Sequence, residues 1–586
     1  MAVTAKMMTI EKKDSDGEGE PPVTPACASK QPLKLESMPP EILTLILEYL
    51  IPEQPEIGET RPVAYDKLMA DEPWYHFTRC RRGLNSLCRV SRRMAALARP
   101  CLYRTIALWN EASMFLLFRT LLEKPEYGVW TRFLSCHLTL SRKDVIREMR
   151  RLLVKYGPTL KFATGDNITV KRAKDFIELF RTILPLTSAN LDYVPQIILY
   201  LILTFLTRLE VHLLQVPICD DEEEYDVFCR HMSVARALYP EGAPETPFTH
   251  VHTLQLQGDP ELLSHFEDED CNCEIPEIWG TQPRRYARLF SAFPNLTTLE
   301  VSSDDGIWSN ELYDWDPDFH HIGGDETGPY LKGIRHIFLH NSGACPTDLY
   351  HLLVNAPQLE TLYMAPCRDG YDRDNMVDEN SMELHPEALD VALSQHAKHL
   401  RNLDVSWHDV SGFEPLIGPE GGRLASLATM GTLEKLCIQM AMLYGTPANV
   451  ATMDLIDLLP PNLIELALED WWWHNASLLY ELPHWDARRK IEHYTSQQKY
   501  RASALKTLSQ FARDVRVKRL HKLKKVKLVC KIPWTWMMED AVPLEFHFED
   551  IKNMLLAKGI DFEVSSDEIE ELKPEDEGYF GTCPRS

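Results

Sequence analysis

Ala292-Phe293-Pro294-Asn295-Leu296-Thr297-Thr298-Leu299-Glu300-Val301 holds the pattern on which the fold turns. Apolar residues at Leu296, Leu299 and Val301 follow a Pro-Asn turn, and Tyr286-Ala287-Arg288-Leu289-Phe290 just upstream reads as a helix. In a strand, successive side chains point to opposite faces. Leu299 and Val301 therefore share one face, and Thr298, Glu300 and Ser302 share the other. The unit is helix, proline turn, short strand, loop.

One such phrase decides nothing, but this one recurs. Apolar-x-x-apolar-x-apolar is found at Leu206/Leu209/Val211, Val251/Leu254/Leu256, Ile334/Ile337/Leu339 and Leu359/Leu362/Met364. It returns at Leu400/Leu403/Val405, Leu433/Leu436/Ile438, Leu463/Leu466/Leu468 and Leu523/Val526/Leu528. Weaker copies begin at Tyr103 (Ile106, Leu108) and Phe133 (Cys136, Leu138). Asn355-Ala356-Pro357-Gln358 and Leu459-Pro460-Pro461-Asn462 repeat the turn, and Leu349-Tyr350-His351-Leu352-Leu353 repeats the helix. Recurrence of a strand with its crossover helix predicts an α/β solenoid of parallel strands. Alternation alone leaves a doubly wound α/β fold as the competitor.

A different signal precedes the repeats. Met38-Pro39-Pro40-Glu41-Ile42-Leu43-Thr44-Leu45-Ile46-Leu47-Glu48-Tyr49-Leu50 is a short helix pattern, apolar almost all round. Its prolines stand in the first turn, where N–H groups have no intrahelical partner. A helix apolar on two sides needs cover on both, which predicts a docking module. A second part follows as Leu84-Asn85-Ser86-Leu87-Cys88-Arg89-Val90-Ser91-Arg92-Arg93, then Met94-Ala95-Ala96-Leu97-Ala98, then Arg99-Pro100-Cys101-Leu102-Tyr103-Arg104-Thr105-Ile106.

These segments resemble the F-box, in the form common among filamentous fungi, and the repeats resemble leucine-rich repeats, which commonly follow an F-box. The chain departs from both patterns. Residues 51–83 intervene between the two helical parts, and repeat starts lie 25 to 60 residues apart. The resemblance implies a small all-α F-box, then an irregular leucine-rich-repeat-like solenoid with long insertions. It also implies a substrate receptor of an SCF-type E3 ubiquitin ligase, docked on the Skp1 adaptor and through it on a cullin and a RING subunit. Pro39, Ile42, Leu43, Ile46 and Leu50, with Leu87, Val90 and Met94, are the implied docking residues, although the Ile and Leu residues of the first helix fit an inward position equally. The alternative is a repeat scaffold for protein–protein interaction without a ligase role.

The organisation expected is a disordered tail (1–33), the docking module (34–106), the solenoid (107–560) and an acidic tail (561–586). The chain has 586 residues and a net charge of −25. Residues 216–229, 259–283, 302–329 and 561–577 together carry −30, so acidity belongs to insertions and tail rather than to the scaffold. A duplex-binding protein should show a basic footprint instead, so no nucleic-acid partner is expected. Basic segments do occur at Thr78–Arg104 and Arg513–Lys531, and solvated helix faces account for them. The first twenty residues lack the apolar core of a signal peptide. The longest apolar run, Ile197–Leu206, falls well short of the ~20 residues of a bilayer crossing and predicts a buried helix. Fourteen scattered cysteines read as free thiols in a reducing compartment, cytoplasmic or nuclear.

No enzyme signature is present: no phosphate loop, no Gly-x-Gly-x-x-Gly and no Gly-x-Ser-x-Gly. Cys271-Asn272-Cys273 lacks a second ligand pair, and His320-His321 beside Asp325 and Glu326 is a poor metal set, so neither metal nor cofactor is expected. Glu545, His547 and Glu549 alternate as on the exposed side of a terminal strand. What remains is a binding surface. Outward strand residues would line the concave face of the solenoid: among them Glu300, Phe338, His340, Tyr363, Asp404 and Glu469. Phe338 and Tyr363 are aromatic anchors among polar neighbours. Trp407 and Trp471-Trp472-Trp473 follow strand ends and would place indoles on one rim, facing a protein substrate of basic character; they equally fit a role pinning insertions to the scaffold.

Overall fold

The computed structural model describes residues 38–51, 72–108, 111–137, 199, 202–203, 205–215, 249–257, 290, 293–302, 329, 331–342, 344, 346–366, 386–405, 422–445, 447–450, 452–470, 503–516, 519–530 and 548–566. Its spine is one sheet of twelve strands, every neighbouring pair parallel, in the order of the chain itself. The strands are β1 (Thr105–Leu108), β2 (Phe133–His137), β3 (Val211–Gln215), β4 (Thr253–Gln257), β5 (Thr298–Ser302) and β6 (His336–Ser342). They continue as β7 (Thr361–Pro366), β8 (Asn402–Val405), β9 (Lys435–Gln439), β10 (Glu465–Asp470), β11 (Lys525–Cys530) and β12 (Asp561–Ser566). A doubly wound sheet reverses its strand order at a switch point. This order never reverses, so the fold is solenoid-like α/β.

The register stacks like residues. Ile106, Leu134, His212, Leu254, Leu299, Ile337, Leu362, Leu403, Leu436, Leu466, Val526 and Phe562 form one row across all strands. Two residues along, Leu256, Val301, Leu339, Met364, Val405, Ile438, Leu468 and Leu528 form a second. Both rows pack with helices in a single continuous core, among them α4 (Glu111–Glu123), α5 (Pro346–Asn355) and α6 (Pro386–His396). Leu349, Leu352 and Leu353 of α5 and Leu389, Ala392 and Leu393 of α6 are its buried faces. Each buried Leu or Ile contributes roughly 1.5–3 kcal/mol.

A backbone ladder fixes the start of every strand. N–H to carbonyl bonds of 2.7–3.1 Å run in succession from Arg104 through Arg132, Glu210, His252, Thr297, Arg335, Glu360, Arg401, Glu434, Ile464 and Lys524 to Asp561. The preceding turns also repeat: Leu209, Leu296, Ile334, Leu359 and Leu400 each donate to the carbonyl three residues back at 3.0–3.2 Å. The asparagine of the Pro-Asn turn has its own task. Asn295 Nδ2 donates to Thr249 O (2.6 Å) and Asn462 Nδ2 to Gly431 O (2.7 Å), tying each turn to the one before.

Several expectations need correction. The solenoid begins at Thr105, not 107, and both weaker phrases are strands. In β2 the inward residues are Leu134 and Cys136, so the phrase starts at Thr131 rather than Phe133. In β3 it is shifted by three: Leu209 is the anchor, His212 pairs with the inward Leu254, Leu214 pairs with Leu256, and Val211 pairs with the outward Thr253. The expected acidic tail holds the last strand, because Phe562 continues the apolar row over Asp561–Ser566. Its phrase was hidden by Gly559 (φ +70°), which stands where other units carry an apolar anchor and takes a left-handed turn open to glycine. Glu549 opens the helix α7 (Glu549–Leu556) instead of ending a strand; Glu545 and His547 lie outside the described residues. The supposed insertion at 51–83 is shorter, since the second helix already starts at Glu72. Leu199, Ile202, Leu203, Phe205 and Leu206 of the long apolar run are buried, and among the described residues no helix is long and apolar enough to cross a membrane.

His212 is the one titratable group in the first of these inner rows, which begins at Ile106. It is fully buried, with Nδ1 3.4 Å from Leu134 O and its ring 6.5 Å from Phe293. Burial lowers its pKa to about 4 against an ordinary 6.5. The unfolded chain therefore binds the proton more readily, and stability falls as pH drops from about 6.5 to about 4, at roughly 1.4 kcal/mol per unit. His212→Leu should remove that part of the acid sensitivity. Urea midpoints at pH 7.5 and 5.0 check this: the fall should be smaller in the variant, and an equal fall in both proteins contradicts the assignment.

Candidate protein interaction surfaces

The first surface belongs to the helical module before the sheet. It comprises α1 (Pro40–Glu48), α2 (Glu72–Val90) and α3 (Arg92–Arg104). Pro40 opens α1, where its missing N–H costs nothing. Ser91 caps α3 by accepting from Met94 N–H at 3.2 Å, and the Arg93 guanidinium donates to Met38 O at 2.8 Å, tying α3 to the start of α1. α3 runs directly into β1, so module and sheet share a continuous backbone.

The two apolar stripes of α1 have different fates. Leu43 and Leu47 are each 1% exposed; Leu47 packs with Leu84 and Ala98, and Leu50, Leu87, Leu97 and Leu102 lie against that cluster. Ile42, Leu45, Ile46 and Tyr49, spaced three or four apart on the neighbouring stripe, are 45%, 54%, 39% and 86% exposed. Val90 at the end of α2 is 58% exposed. Of the docking residues expected from sequence, Pro39, Ile42, Ile46 and Val90 are at the surface, and Leu50 and Leu87 are half-buried. Leu43 and Met94 are buried in the interior, for Leu43 the inward position that the sequence fits equally. Leu45 and Tyr49, not among those expected residues, lie on the same exposed stripe, and the i, i+3, i+4, i+7 spacing from Ile42 is the sequence signal for it.

The second surface is the outer face of the sheet. In register, its middle row reads Gln255, Glu300, Phe338, Tyr363, Asp404 and Cys437 from β4 to β9. Around Glu300 the side chains converge. Gln255 Nε2 donates to Glu300 Oε2 at 2.7 Å, and His340 Nε2 lies 3.1 Å from Glu300 Oε1. The Tyr363 ring is 5.4 Å from His340 and 6.3 Å from Phe338, both tilted. At the strand starts on this face, His336 Nδ1 lies 3.1 Å from Thr361 Oγ1, and Asn402 Nδ2 donates to the same hydroxyl at 3.1 Å. Burial holds His336 below the ordinary imidazole range.

Toward the chain end the face becomes ionic. Lys435 pairs with Glu465 and Lys525 with Glu563, each at 3.0 Å. The hydrogen bond from Lys525 holds the Glu563 carboxyl below its usual range. Glu469 is buried beside Cys437, 4.0 Å from its sulfur, so it is less available than an outward position implied. The structure thus brings Glu300, Phe338, His340 and Tyr363 together, with Asp404 next in the row. Trp407, Trp471 and Trp472 lie outside the described residues.

Among the described residues no cluster of three His, Cys, Asp or Glu is arranged to hold a metal ion, and Cys80, Cys88, Cys101, Cys136 and Cys437 are free thiols. Burial pushes the Cys136 thiol far above its normal range, so it stays protonated. No model of a known protein family matches this chain, and no curated protein matches it.

The inward and outward stripes of α1 make contrasting predictions. Leu47→Ala should destabilise the helical module by about 2–5 kcal/mol. Ile46→Ala on the exposed stripe should change it by less than about 0.5 kcal/mol. Hydrogen exchange of the α1–α3 amides measures both, and equal effects would refute the division of faces.

Proposed function

We propose that this protein is an F-box substrate receptor of an SCF-type ubiquitin ligase, docking on the Skp1 adaptor through α1–α3 and holding target proteins on the outer face of a leucine-rich-repeat-like sheet. One observation carries the reading: among the described residues Ile42, Leu45, Ile46, Tyr49 and Val90 are exposed, while the core of the helical module is built by others, Leu47, Leu84 and Ala98. A monomer gains nothing by presenting five large apolar residues there, and exposed apolar surface of this kind marks an interaction site. The sequence order, helical module then parallel repeats, has the likeness described above to F-box proteins with leucine-rich repeats.

In this role the protein makes and breaks no bonds. Skp1 would link it to a cullin and a RING subunit, and the sheet would hold the target close to the activated ubiquitin. Tethering turns a bimolecular encounter into an effectively intramolecular one and raises the local concentration of the target lysine. Neither a cofactor nor a metal is needed for that. A sheet that keeps its strands in one rigid register suits the task, because geometry between docking module and target is what a scaffold supplies.

The test is capture by purified Skp1. Full-length protein should be retained, and an Ile42→Ala, Ile46→Ala double variant should bind at least tenfold more weakly, since hot-spot apolar residues each contribute more than about 1 kcal/mol. Absence of capture by folded wild-type protein would sink the ligase reading and leave the repeat scaffold.

A further inference from the structure

The arginines of the helical module gather at one end of its exposed apolar stripe. Arg79, Arg82 and Arg89 are exposed along one face of α2, and Val90 ends that face. Cys80, Leu84 and the half-buried Leu87 occupy the inner side of the same helix. Arg92, one residue past the cap at Ser91, is exposed as well. Among the described residues none of these four guanidinium groups has an ion pair or a hydrogen bond. The whole run from Pro73 to Arg104 contains no Asp or Glu. The 2.8 Å bond from Arg93 to Met38 O sets the start of α3, and with it the end of α2, beside the start of α1. Arg89, Val90 and Arg92 therefore lie at the Ile42 end of the stripe. Glu41, exposed in the first turn of α1, is the one acid at that end among the described residues, so positive charge stays in excess.

We propose that the protein docking on this stripe carries carboxylates at one border of its apolar groove, and that Arg89 and Arg92 steer those carboxylates to the Ile42 end. The inference rests on the α1 stripe being the Skp1-docking surface and specifies the charge that its partner brings. Cations held on helices without counter-charges of their own raise a positive potential that reaches about a Debye length, ~8–10 Å, into solution. The chain as a whole carries −25, so an acidic partner is repelled by most of the surface and drawn to this end. Charge thereby selects the orientation of approach. Arginines on a rim stay solvated and add little to the final affinity, so their effect is on the rate of association. A phosphate backbone is also drawn to arginine, but only a protein groove covers the neighbouring Ile42, Leu45, Ile46 and Tyr49.

The experiment follows association of the full-length protein with immobilised Skp1 by biolayer interferometry, at about 0.05 M and about 0.5 M sodium chloride. The wild-type association rate constant should fall about tenfold across that range. An Arg89→Glu, Arg92→Glu variant should associate about tenfold more slowly at low salt and respond little to added salt, with its dissociation rate within about twofold of wild type. The Ile42→Ala, Ile46→Ala variant should do the reverse and mainly speed dissociation. A Lys522→Glu, Lys524→Glu variant makes the same change in net charge at exposed positions beside β11 and should associate within about twofold of wild type. Circular dichroism reports the fold; Arg89→Gln, Arg92→Gln serves if the reversed pair does not fold, and should slow association about threefold. Equal slowing by the arginine and lysine pairs, or slowing by neither, overturns the proposal. Retention of a random duplex of about thirty base pairs by wild type, lost in the arginine variant, also overturns it and assigns the arginines to nucleic acid. A Skp1 complex that forms regardless of salt and of both arginines defeats this inference alone. No complex with folded wild-type protein defeats the ligase reading and this inference with it.

Discussion

In-register parallel pairing governs this molecule. A parallel neighbour must offer its carbonyls at the height where the next strand needs them, so every unit has to begin its strand at the same level. The ladder from Arg104 to Asp561 is that requirement written in backbone bonds. Once the start is fixed, the i, i+3 and i+5 positions of every unit must point the same way, and the inner rows follow. Nothing in the constraint concerns the length of chain between strands. From β2 to β3 it is many times longer than from β6 to β7, and closing a longer loop costs only a slowly growing entropy. Acidic insertions can therefore accumulate between units without disturbing the stack.

The same register makes the outer face a functional surface. Because each strand contributes alternate residues at fixed height, side chains distant in sequence meet by necessity. Gln255, Glu300 and His340 are brought into one hydrogen-bonded group by three successive strands, and Tyr363 joins from a fourth. The face is also graded along its length. Aromatic and amide groups occupy the middle, and alternating Lys and Glu pairs occupy the end. Those surface pairs add little stability, since exposed ion pairs contribute about 0–1 kcal/mol. Their effect is to keep the end of the sheet polar.

Much of this was legible beforehand, for physical reasons that can be named. Units such as Leu433/Leu436/Ile438 declare themselves because burial on one face demands apolar residues at fixed spacing. The phrase in β3 reads three residues early because His212 occupies a leucine position; a histidine reads as polar until its neighbours desolvate it. β12 reads as tail in the sequence because Gly559 replaces the apolar anchor and acids flank the strand. In α1 the two stripes have the same residue types, so only packing against Leu84 and Ala98 separates inside from outside. Around Glu300 the polar residues were identified, but not the diagonal contact of His340, which depends on strand spacing rather than composition.

The strand order has a further consequence, for biosynthesis. Translation delivers β1 first and β12 last, in the order in which they pair. Each strand that leaves the ribosome meets an edge already built and needs no partner still to be made. The nascent chain can thus lengthen its sheet one unit at a time, with the helical module finished before the first rung is laid. At every stage the growing edge is bare, and the intermediate whose growing edge waits longest for its next strand is the one ending at β2, while the long segment leading to β3 is being synthesised.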